Sequence, residues 1–561
     1  MYWTRGQGSR VRDQWFFRRD SVVSLLRNTF TFGAMTLVSR ILGFARDVVL
    51  ALWFGATATT DAFFVAFKIP NFLRRMFAEG SFSLAFVPVL AEYKEKGDEA
   101  ALKSLIDATA GSLLAVLLVI TGIGVLAAPL FISVFAPGFH DNPEQHALAS
   151  DMLRITFPYL LFIALTALSG GILNTLGRFA LPALTPALLN VSLITAAVAF
   201  SGYFEVPVKA LAWGVLVAGV LQLAVQFPAL ARHGVLPVPK PDFAHAGVRR
   251  IMKLMVPTLF GSSVAQISLL LDVIIASLLI EASISWLYYG DRLMEFPLGM
   301  FGVALSVVIL PTLSSLHARN NRGEFRATLE WAMLLGLVIG VPAAVGLAVV
   351  AEPLVVTLFQ YGAFTGHDVQ MAAMALSAYC IGLPAFIGVK ILAPAYFSRQ
   401  DTKTPVLIAV SALAVNMLLN VLFVFVIIWH LVGGDFGDGL FATLSAHPGA
   451  HAGLALASSA SAWLNFGLLW GNLKKPGLLP RLPWGRIAQV GLASLVMAAA
   501  VLAIQPETAT WLESGLMWRI GWLAAVVGVG SVAYGLVLLL TGLRPHHLAR
   551  PIVRGGEANQ R

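Results

Sequence analysis

Length, composition and charge exclude most classes of soluble protein. The chain has 561 residues, of which 58% are hydrophobic and only 12% charged, and its mean hydropathy is +0.80. Because apolar runs recur from Thr29 to Leu540, we predict an all-α polytopic membrane protein. The net charge of +9 resides in short connectors between these runs, which is typical of membrane topology signals rather than of nucleic-acid binding. The single cysteine, Cys380, permits no internal disulfide.

The first 28 residues are rich in arginine and aromatic side chains. The pair Arg18-Arg19 resembles a twin-arginine export signal, but the following apolar run is too long and ends without an A-x-A cleavage site. We therefore predict that residues 1–28 form a basic cytoplasmic tail.

Apolar runs of membrane-spanning length predict about fourteen transmembrane helices. The predicted spans lie near residues 29–52, 61–92, 104–128, 152–174, 181–201, 207–231, 251–280, 284–314, 327–350, 371–397, 405–429, 451–471, 487–505 and 517–541. Connectors after even-numbered spans carry lysine or arginine, as in 319–326, whereas connectors after odd-numbered spans, such as 352–370, carry neither. By the positive-inside rule, both termini are predicted to be cytoplasmic.

An internal repeat appears when the prolines are used as markers. Four pairs with similar apolar surroundings lie 223 to 226 residues apart: Pro88 and Pro311, Pro129 and Pro353, Pro158 and Pro384, and Pro182 and Pro405. The repeat predicts two parallel six-helix lobes that can expose a central cavity to alternate sides, followed by two extra helices. The predicted segments are the tail 1–28, the N-lobe 29–232, a cytoplasmic linker 233–250, the C-lobe 251–472, the last two helices 487–541 and a cytoplasmic tail 542–561.

The first predicted hairpin carries an unusual number of charges for a membrane segment. Its eight ionisable residues are Arg40, Arg46, Asp47, Asp61, Lys68, Arg74, Arg75 and Glu79. Each ionised group costs about 3 kcal/mol near a bilayer midplane, so we expect these side chains to line a hydrated cavity. Helical spacing also permits internal ion pairs of Arg40 with Asp47 or of Arg75 with Glu79, and this alternative remains open for each pair.

The eighth predicted span contains a second charged group, formed by Asp291, Arg292 and Glu295. Arg292 can reach either carboxylate at helical spacing, so the group is either a self-contained brace or a ligand site. The arginines of both charged regions favour an anion, because guanidinium groups hold phosphates through paired hydrogen bonds.

A third polar group consists of Asp272 in the seventh span with Asn416 and Asn420 in the eleventh. Carboxylate and amide oxygens are suitable ligands for an alkali cation such as Na⁺. An ordinary interhelical hydrogen bond explains the same residues equally well.

No nucleotide-binding loop and no Ser/His/Asp arrangement stand out in the sequence. Glu79 and Glu295 are candidates for an intramembrane enzyme, but no nucleophile accompanies them. Gradient-driven transport by alternating access is therefore the preferred interpretation, and an enzyme is not expected.

Five stretches of the chain are distinctive: SRILGFARD, TDAFFVAFKIPNFLRRMFAEGSFSLAFVPVLAEY, WLYYGDRLMEFPLGMFGVALSVVILP, LFQYGAFT and APAYFSRQDTKTP. They resemble the bacterial MurJ (MviN) family of lipid II flippases. The family belongs to the multidrug/oligosaccharidyl-lipid/polysaccharide exporter superfamily, whose two six-helix lobes match the repeat, and its two additional helices match the last two spans.

The resemblance implies the substrate and the site residues. Lipid II, which is undecaprenyl-pyrophosphate-MurNAc-pentapeptide-GlcNAc, would move from the cytoplasmic to the periplasmic leaflet of the bacterial inner membrane. The implied substrate-binding residues are Arg40, Arg46, Arg74 and Arg292. The implied gate charges are Asp61, Lys68, Glu79, Asp291 and Glu295. The implied Na⁺ ligands are Asp272, Asn416 and Asn420, although Asn420 stands where the family has an aspartate.

The resemblance also implies binding partners, and other functions remain as alternatives to lipid II transport. The last two helices would form a groove for the lipid tail, and membrane lipids and cell-wall synthesis or division proteins are expected partners. The alternatives are a drug/cation antiporter, for which acidic residues should dominate the cavity, a polysaccharide-lipid flippase, and a scaffold for cell-wall enzymes.

Overall fold

The computed structural model describes residues 35, 37–76, 82–433, 439–474, 477–481 and 484–544, and gives the backbone but not the side chains of 257–266, 269 and 440–442. All regular secondary structure in these residues is helical. The α-helices in chain order are α1 (37–54), α2 (Ala58–Arg74), α3 (Ser83–Glu95), α4 (Glu99–Leu126), α5 (Ala128–Phe135), α6 (Pro143–Thr156), α7 (Tyr159–Thr175), α8 (Ala180–Thr195), α9 (Lys209–Ala224), α10 (Phe227–Arg232), α11 (Ala246–Ser277), α12 (Ser283–Pro297), α13 (Val303–Ala318), α14 (Arg322–Val349), α15 (Ala351–Phe359), α16 (Gly366–Phe397), α17 (Lys403–Leu431), α18 (Leu440–Ala446), α19 (His451–Asn472), α20 (Trp484–Ile504), α21 (Thr508–Glu513) and α22 (Leu516–Leu540).

Eleven helical segments of the described residues are long and apolar enough to cross a bilayer, which confirms a polytopic helical membrane protein. Their ends lie close to predicted spans, except that the helix predicted at 152–174 already begins at Pro143. The predicted spans near 29–52, 61–92 and 251–280 are not among the eleven, and each includes residues that are not fully described. The total of fourteen therefore stays a prediction. The tail 1–28 lies outside the described residues, as does the tail 542–561 beyond residue 544.

The chain forms two compact units. The first contains the described residues up to Leu50 together with Ala66–Phe131 and Leu148–Ser263. The second contains Ala51–Val65, Ile132–Ala147 and the described residues from Val264 onward. The turn between α1 and α2 therefore belongs to the second unit, although most of its flanking helices belong to the first.

Helices α3, α4 and α7 form the core of the first unit. Its fully buried side chains include Phe86 and Leu90 of α3, Leu105 of α4 and Ile172 of α7. Gly171 makes this packing possible, because a Cβ atom there would lie 3.2 Å from the Phe86 ring. Small residues at helix contacts are typical of membrane bundles, where backbones approach closely.

The connector between α10 and α11 lies along α4 in the first unit and is bound to it by hydrogen bonds. The buried Asp107 carboxylate accepts a hydrogen bond from the Val238 amide at 2.8 Å, and its backbone oxygen accepts one from the Lys240 amide at 3.2 Å. The Lys103 ammonium group also pairs with this carboxylate. Gly111 lies one turn further along α4, directly under the backbone of Lys240. We call residues 238–242 the strap.

Replacing Gly111 by valine is expected to detach the strap. A Cβ atom at this position would lie 2.2 Å from the Lys240 carbonyl carbon, and that backbone cannot move without breaking its bonds to Asp107. Loss of two hydrogen bonds at about 1 kcal/mol each should speed amide exchange at Val238 and Lys240 on the order of thirtyfold. Hydrogen–deuterium exchange measured by mass spectrometry provides the test.

Gly122→Val is the matched control for this variant. Gly122 also lies in α4, but a Cβ atom there would meet no atom within 4 Å. The control should leave exchange in the strap unchanged, and equal exchange in both variants would contradict the predicted contact.

Helix α16 is central in the second unit and packs against α12, α14 and α19. Glycines permit close contact on two of its sides. A Cβ atom on Gly382 would lie 2.7 Å from Ser459 of α19, and one on Gly336 of α14 would lie 2.5 Å from Ile391 of α16. The Ser459 hydroxyl donates to the Ala378 carbonyl at 2.7 Å, which joins α16 to α19 inside the apolar region.

The sequence repeat coincides with repeated helix starts. Helices α4 and α14 each have 28 residues, and Asp98 and Asn321, which precede them, both accept a hydrogen bond from the amide three positions later. Helices α5 and α15 follow α4 and α14 after one intervening residue each. A side chain that caps a helix in this way fixes where the helix begins.

Candidate functional site

Arg46 of α1 is buried in the first unit and takes part in a polar cluster. Its Nε and Nη2 atoms donate to Oδ1 of Asp47 at 2.9 and 2.6 Å, and its Nη1 donates to Oδ1 of Asn190 in α8 at 3.1 Å. Nδ2 of Asn190 donates in turn to the Ser39 carbonyl at 3.0 Å. Asp47 thus pairs with its sequence neighbour, and Asn190 connects the pair to a distant helix.

The other predicted charges of the first unit are more accessible. Arg40 is exposed on α1, and Lys68 and Arg74 are half-buried on α2. Nε of Arg74 donates to Oδ1 of Asn71 at 2.8 Å, a bond within one turn of the helix. Glu79, which was predicted as a gate charge and as a partner of Arg75, lies outside the described residues.

Asp61 of α2 belongs to the second unit and caps α12. Its Oδ1 atom accepts hydrogen bonds from the amide and the hydroxyl of Ser285, at 2.8 and 2.5 Å, and both residues are buried. The residue preceding α12, Ala282, has a positive φ of 73° and supplies no side-chain cap. The Asp61 carboxylate therefore replaces the missing cap at a helix N-terminus, where negative charge is favoured.

The turn before Asp61 fits closely against the loop after α15. Gly55 and Gly362 both have a positive φ, and Cβ atoms on them would lie 2.4 Å from the Ala363 carbonyl oxygen and 2.3 Å from the Leu52 carbonyl oxygen. The Ala363 amide donates to the Leu52 carbonyl at 3.0 Å. Neither glycine can carry a side chain without separating the two backbones.

Arg292 of α12 takes part in an ion pair and an aromatic stack in the second unit. Its Nη1 donates to Oε2 of Glu295 at 2.9 Å, and its guanidinium lies 5.5 Å from the centre of the Tyr288 ring. The Tyr288 ring stacks on Phe64 at 4.1 Å. The arginine side chain is about one-third exposed and that of Glu295 about half, so a ligand can compete for the guanidinium. Asp291 is half-buried beside them.

Asp272, Asn416 and Asn420 meet in the second unit. Nδ2 of Asn420 donates to Oδ1 of Asp272 at 2.8 Å and lies 3.5 Å from Oδ1 of Asn416. Both asparagines are buried, and Oδ1 of Asn420 has no hydrogen-bond partner. A buried oxygen atom that accepts no hydrogen bond destabilises the folded state, because the oxygen has lost its contact with water. A cation bound beside it would restore a favourable interaction. No group of three or more His, Cys, Asp or Glu side chains suited to a metal occurs among the described residues.

Several residues that position these groups were missed by the sequence argument. Ser285 and Asn190 are uncharged partners in distant helices, and no local pattern marks them. Thr365 and Asp368 form a capping box at the start of α16, and Asp368 also accepts a hydrogen bond from the Trp286 indole at 2.8 Å. The T-x-x-D spacing before an apolar run is a signal that could have identified this pair.

Arg519 was also missed, although it is the one charged residue in the predicted span 517–541. Its buried guanidinium donates to the carbonyls of Val356, Gln360 and Leu512 and to Oε1 of Gln360, at 2.6 to 3.3 Å. It therefore neutralises the negative end of α15 and joins α22 to it.

Comparisons with known proteins identify the family. The profile described as "Lipid II flippase MurJ" matches residues 50–527. A "Probable lipid II flippase MurJ" of Vibrio cholerae is 44% identical over 93% of this chain and 97% of its own length, and a "Lipid II flippase MurJ" of Burkholderia cenocepacia is 43% identical over 86% and 89%. A solved structure titled "Lipid II flippase MurJ, inward closed conformation" superposes with a TM-score of 0.74 at 26% identity and covers 91% of this chain and 98% of its own. The chain therefore belongs to the lipid II flippase MurJ family.

Proposed function

We propose that this protein transports lipid II from the cytoplasmic to the periplasmic leaflet of the bacterial inner membrane. The family relationship carries this proposal, because it extends over residues 50–527. We further propose fourteen transmembrane helices with both termini cytoplasmic, as the alternation of basic connectors indicates. Proteins of cell-wall synthesis and division are proposed as partners on the basis of the substrate alone.

Arginine and lysine side chains provide the chemistry that a pyrophosphate headgroup requires. A headgroup with two phosphates and sugars cannot enter hydrocarbon unaided, so cationic groups must replace its water. We assign this role to Arg40, Arg46, Arg74 and Arg292. Arg292 is the best supported of them, because its guanidinium is partly exposed and its ion pair with Glu295 is weak enough to exchange.

The predicted gate charges act by competing with the substrate or by holding one conformation. We propose that Glu295 returns to Arg292 when the substrate leaves, and that Asp61 holds the start of α12 in one state. Lys68, Asp291 and Glu79 are retained as gate charges from the family resemblance. We also propose transport by alternating access driven by a gradient, and the support for this energy source is that no nucleotide-binding loop occurs in the sequence.

Rescue of a depleted host tests the proposed substrate. Cells depleted of their own flippase should expose little lipid II on the outer leaflet, and expression of this protein should restore exposure. If the protein inserts into the membrane and exposure is not restored, lipid II is excluded. A polysaccharide-linked lipid would then be the substrate to test.

Sodium coupling is a further proposal, and Asp272, Asn416 and Asn420 are the residues that would hold the ion. Its support is the buried Oδ1 atom of Asn420, which has no hydrogen-bond partner, in an amide group whose Nδ2 atom donates to the Asp272 carboxylate. The purified protein should melt at a higher temperature in sodium chloride than in choline chloride, because an ion that binds only the folded state stabilises it.

The Asp272→Asn variant should lose this sodium-specific stabilisation. Glu205→Gln is the control, because it also removes one carboxylate, from an exposed connector. A sodium effect that persists in Asp272→Asn would refute the site, and the hydrogen-bond interpretation would remain.

A further inference from the structure

The second unit contains a cavity of about 170 Å³ at the ends of three helices, and none of its lining residues belongs to the candidate site described above. It lies where α13 ends, α14 begins and α16 ends. Its lining consists of Leu316, His317, Asn320, Asn321, Arg322, Phe325, Arg399 and Leu478. The volume exceeds the roughly 10–15 Å³ that one water needs and is smaller than the roughly 300 Å³ of a typical drug-sized site. It therefore suits a small polar group.

Two arginines, Arg322 and Arg399, form what we call the cationic wall of the cavity, and His317 also lines it. Among the described residues neither arginine forms an ion pair, although Asp401 interacts electrostatically with Arg399. The Arg399 side chain is held in place by two interactions. Its Nε atom donates a hydrogen bond to the Ala395 carbonyl at 2.9 Å, and its guanidinium lies 5.1 Å from the centre of the Tyr396 ring. A guanidinium fixed in this way loses little further freedom when it binds an anion.

The acidic residues closest in sequence do not line the cavity, although Asp401 interacts electrostatically with Arg399. Asp401 accepts a hydrogen bond from the Thr404 amide at 3.0 Å and thereby caps α17. Glu324 follows Arg322 in the first turn of α14 but does not line the cavity. The α14 N-terminus adds the positive end of a helix dipole to the cationic wall.

Three apolar side chains also line the cavity, and we call them the apolar wall. Leu316, Phe325 and Leu478 are almost fully buried and face the cavity. A site with one cationic and one apolar wall is suited to a phosphate group attached to an apolar body. The adjoining basic connector is predicted to be cytoplasmic, the side on which anionic phospholipids attract basic residues.

We propose that this cavity binds a phosphate group, carried by an anionic phospholipid or present as free phosphate, at a site separate from the transport residues. Arg322 and Arg399 hold the phosphate oxygens, and the apolar wall contacts the glycerol region when the ligand is a lipid. The site is independent of the proposed substrate, because none of its residues is assigned to transport.

Lipid binding by the purified full-length protein tests this site. Native mass spectrometry would compare phosphatidylglycerol with phosphatidylcholine, with and without millimolar inorganic phosphate. The wild type should prefer phosphatidylglycerol, and Arg322→Ala/Arg399→Ala should bind it at least about tenfold more weakly. If inorganic phosphate displaces bound phosphatidylglycerol, free phosphate is the ligand of the cavity. If phosphatidylglycerol stays bound in the presence of phosphate, the lipid headgroup is the ligand.

Arg319→Ala/Lys403→Ala is the matched control. It removes the same charge near the same two helix junctions, α13 to α14 and α16 to α17, at residues that do not line the cavity. His317→Glu provides a second test at an exposed position, since it places a carboxylate in the cavity and should also abolish the preference. The proposal would be overturned if the cavity variant and the control variant lost phosphatidylglycerol binding equally. It would also be overturned if His317→Glu bound phosphatidylglycerol as tightly as the wild type.

Discussion

Replacing Arg292 by alanine is expected to abolish rescue of cells that lack their own lipid II flippase. The variant removes a guanidinium that is available to a pyrophosphate and is oriented by Tyr288 and Glu295. Charge-assisted hydrogen bonds contribute about 1.5–3 kcal/mol each, so lipid II should bind roughly ten- to a hundredfold more weakly. Growth of the depleted host and lipid II binding by purified protein are the measurements.

Glu295→Gln separates a ligand role of Arg292 from a bracing role. If Arg292 only braces α12, loss of either partner of the ion pair has the same effect on binding. If Arg292 holds the substrate, Glu295→Gln removes one carboxylate that competes for its guanidinium, and lipid II should bind at least as tightly as to the wild type. Arg292→Lys should fall between wild type and alanine, because an ammonium keeps the charge without the paired geometry. Normal growth with Arg292→Ala would refute the assignment.

Replacing Asp61 by alanine is expected to stop transport while leaving lipid II binding intact. The variant leaves the buried amide and hydroxyl of Ser285 without an acceptor and the start of α12 without a cap. With about 1.5 kcal/mol or more for each bond to a carboxylate, the conformation that contains them should lose on the order of a hundredfold in population. Amide exchange at Ser285 and flipping in vesicles are the measurements.

Two milder variants test how the effect depends on the number and the charge of the hydrogen bonds at the start of α12. Ser285→Ala removes only the hydroxyl donor, so exchange at residue 285 should rise by less than in Asp61→Ala. Asp61→Asn keeps an oxygen at the cap but loses the charge, and it should impair flipping without weakening substrate binding. Unchanged amide exchange in Asp61→Ala would show that the cap does not stabilise this conformation.

The membrane-spanning helices could be predicted because bilayer thickness fixes the length of an apolar run. Hydropathy does not detect the polar residues at which a helix begins, however. The predicted first residues of the helices therefore differ from the observed ones. Helix α6 begins at Pro143, well before the predicted start, because the Asn142 side chain accepts a hydrogen bond from the Gln145 amide. Helix α16 begins at Gly366 because Thr365 and Asp368 form a capping box. Pro158 lies between α6 and α7, which together form one segment of membrane-spanning length, as predicted.

The charges of the candidate site could be predicted, but their partners could not. Helical spacing left a pair of Arg40 with Asp47 open as an alternative, whereas the structure shows Asp47 accepting two hydrogen bonds from the adjacent Arg46. The cap of α12 by Asp61 joins residues 224 positions apart. Such contacts depend on how helices pack, and a periodic pattern along one helix carries no information about its neighbour.

The strap restricts how this protein can be engineered. A polar connector between two helical bundles is ordinarily the first choice for inserting a fluorescent reporter, because exposed loops tolerate added chain. Here the amides of Val238 and Lys240 are already used by Asp107, and the backbone lies directly on Gly111. A reporter inserted within 238–242 would compete with α4 for the connector, whereas one inserted at Gly234, which lies outside the strap and has open space around it, would leave the attachment intact.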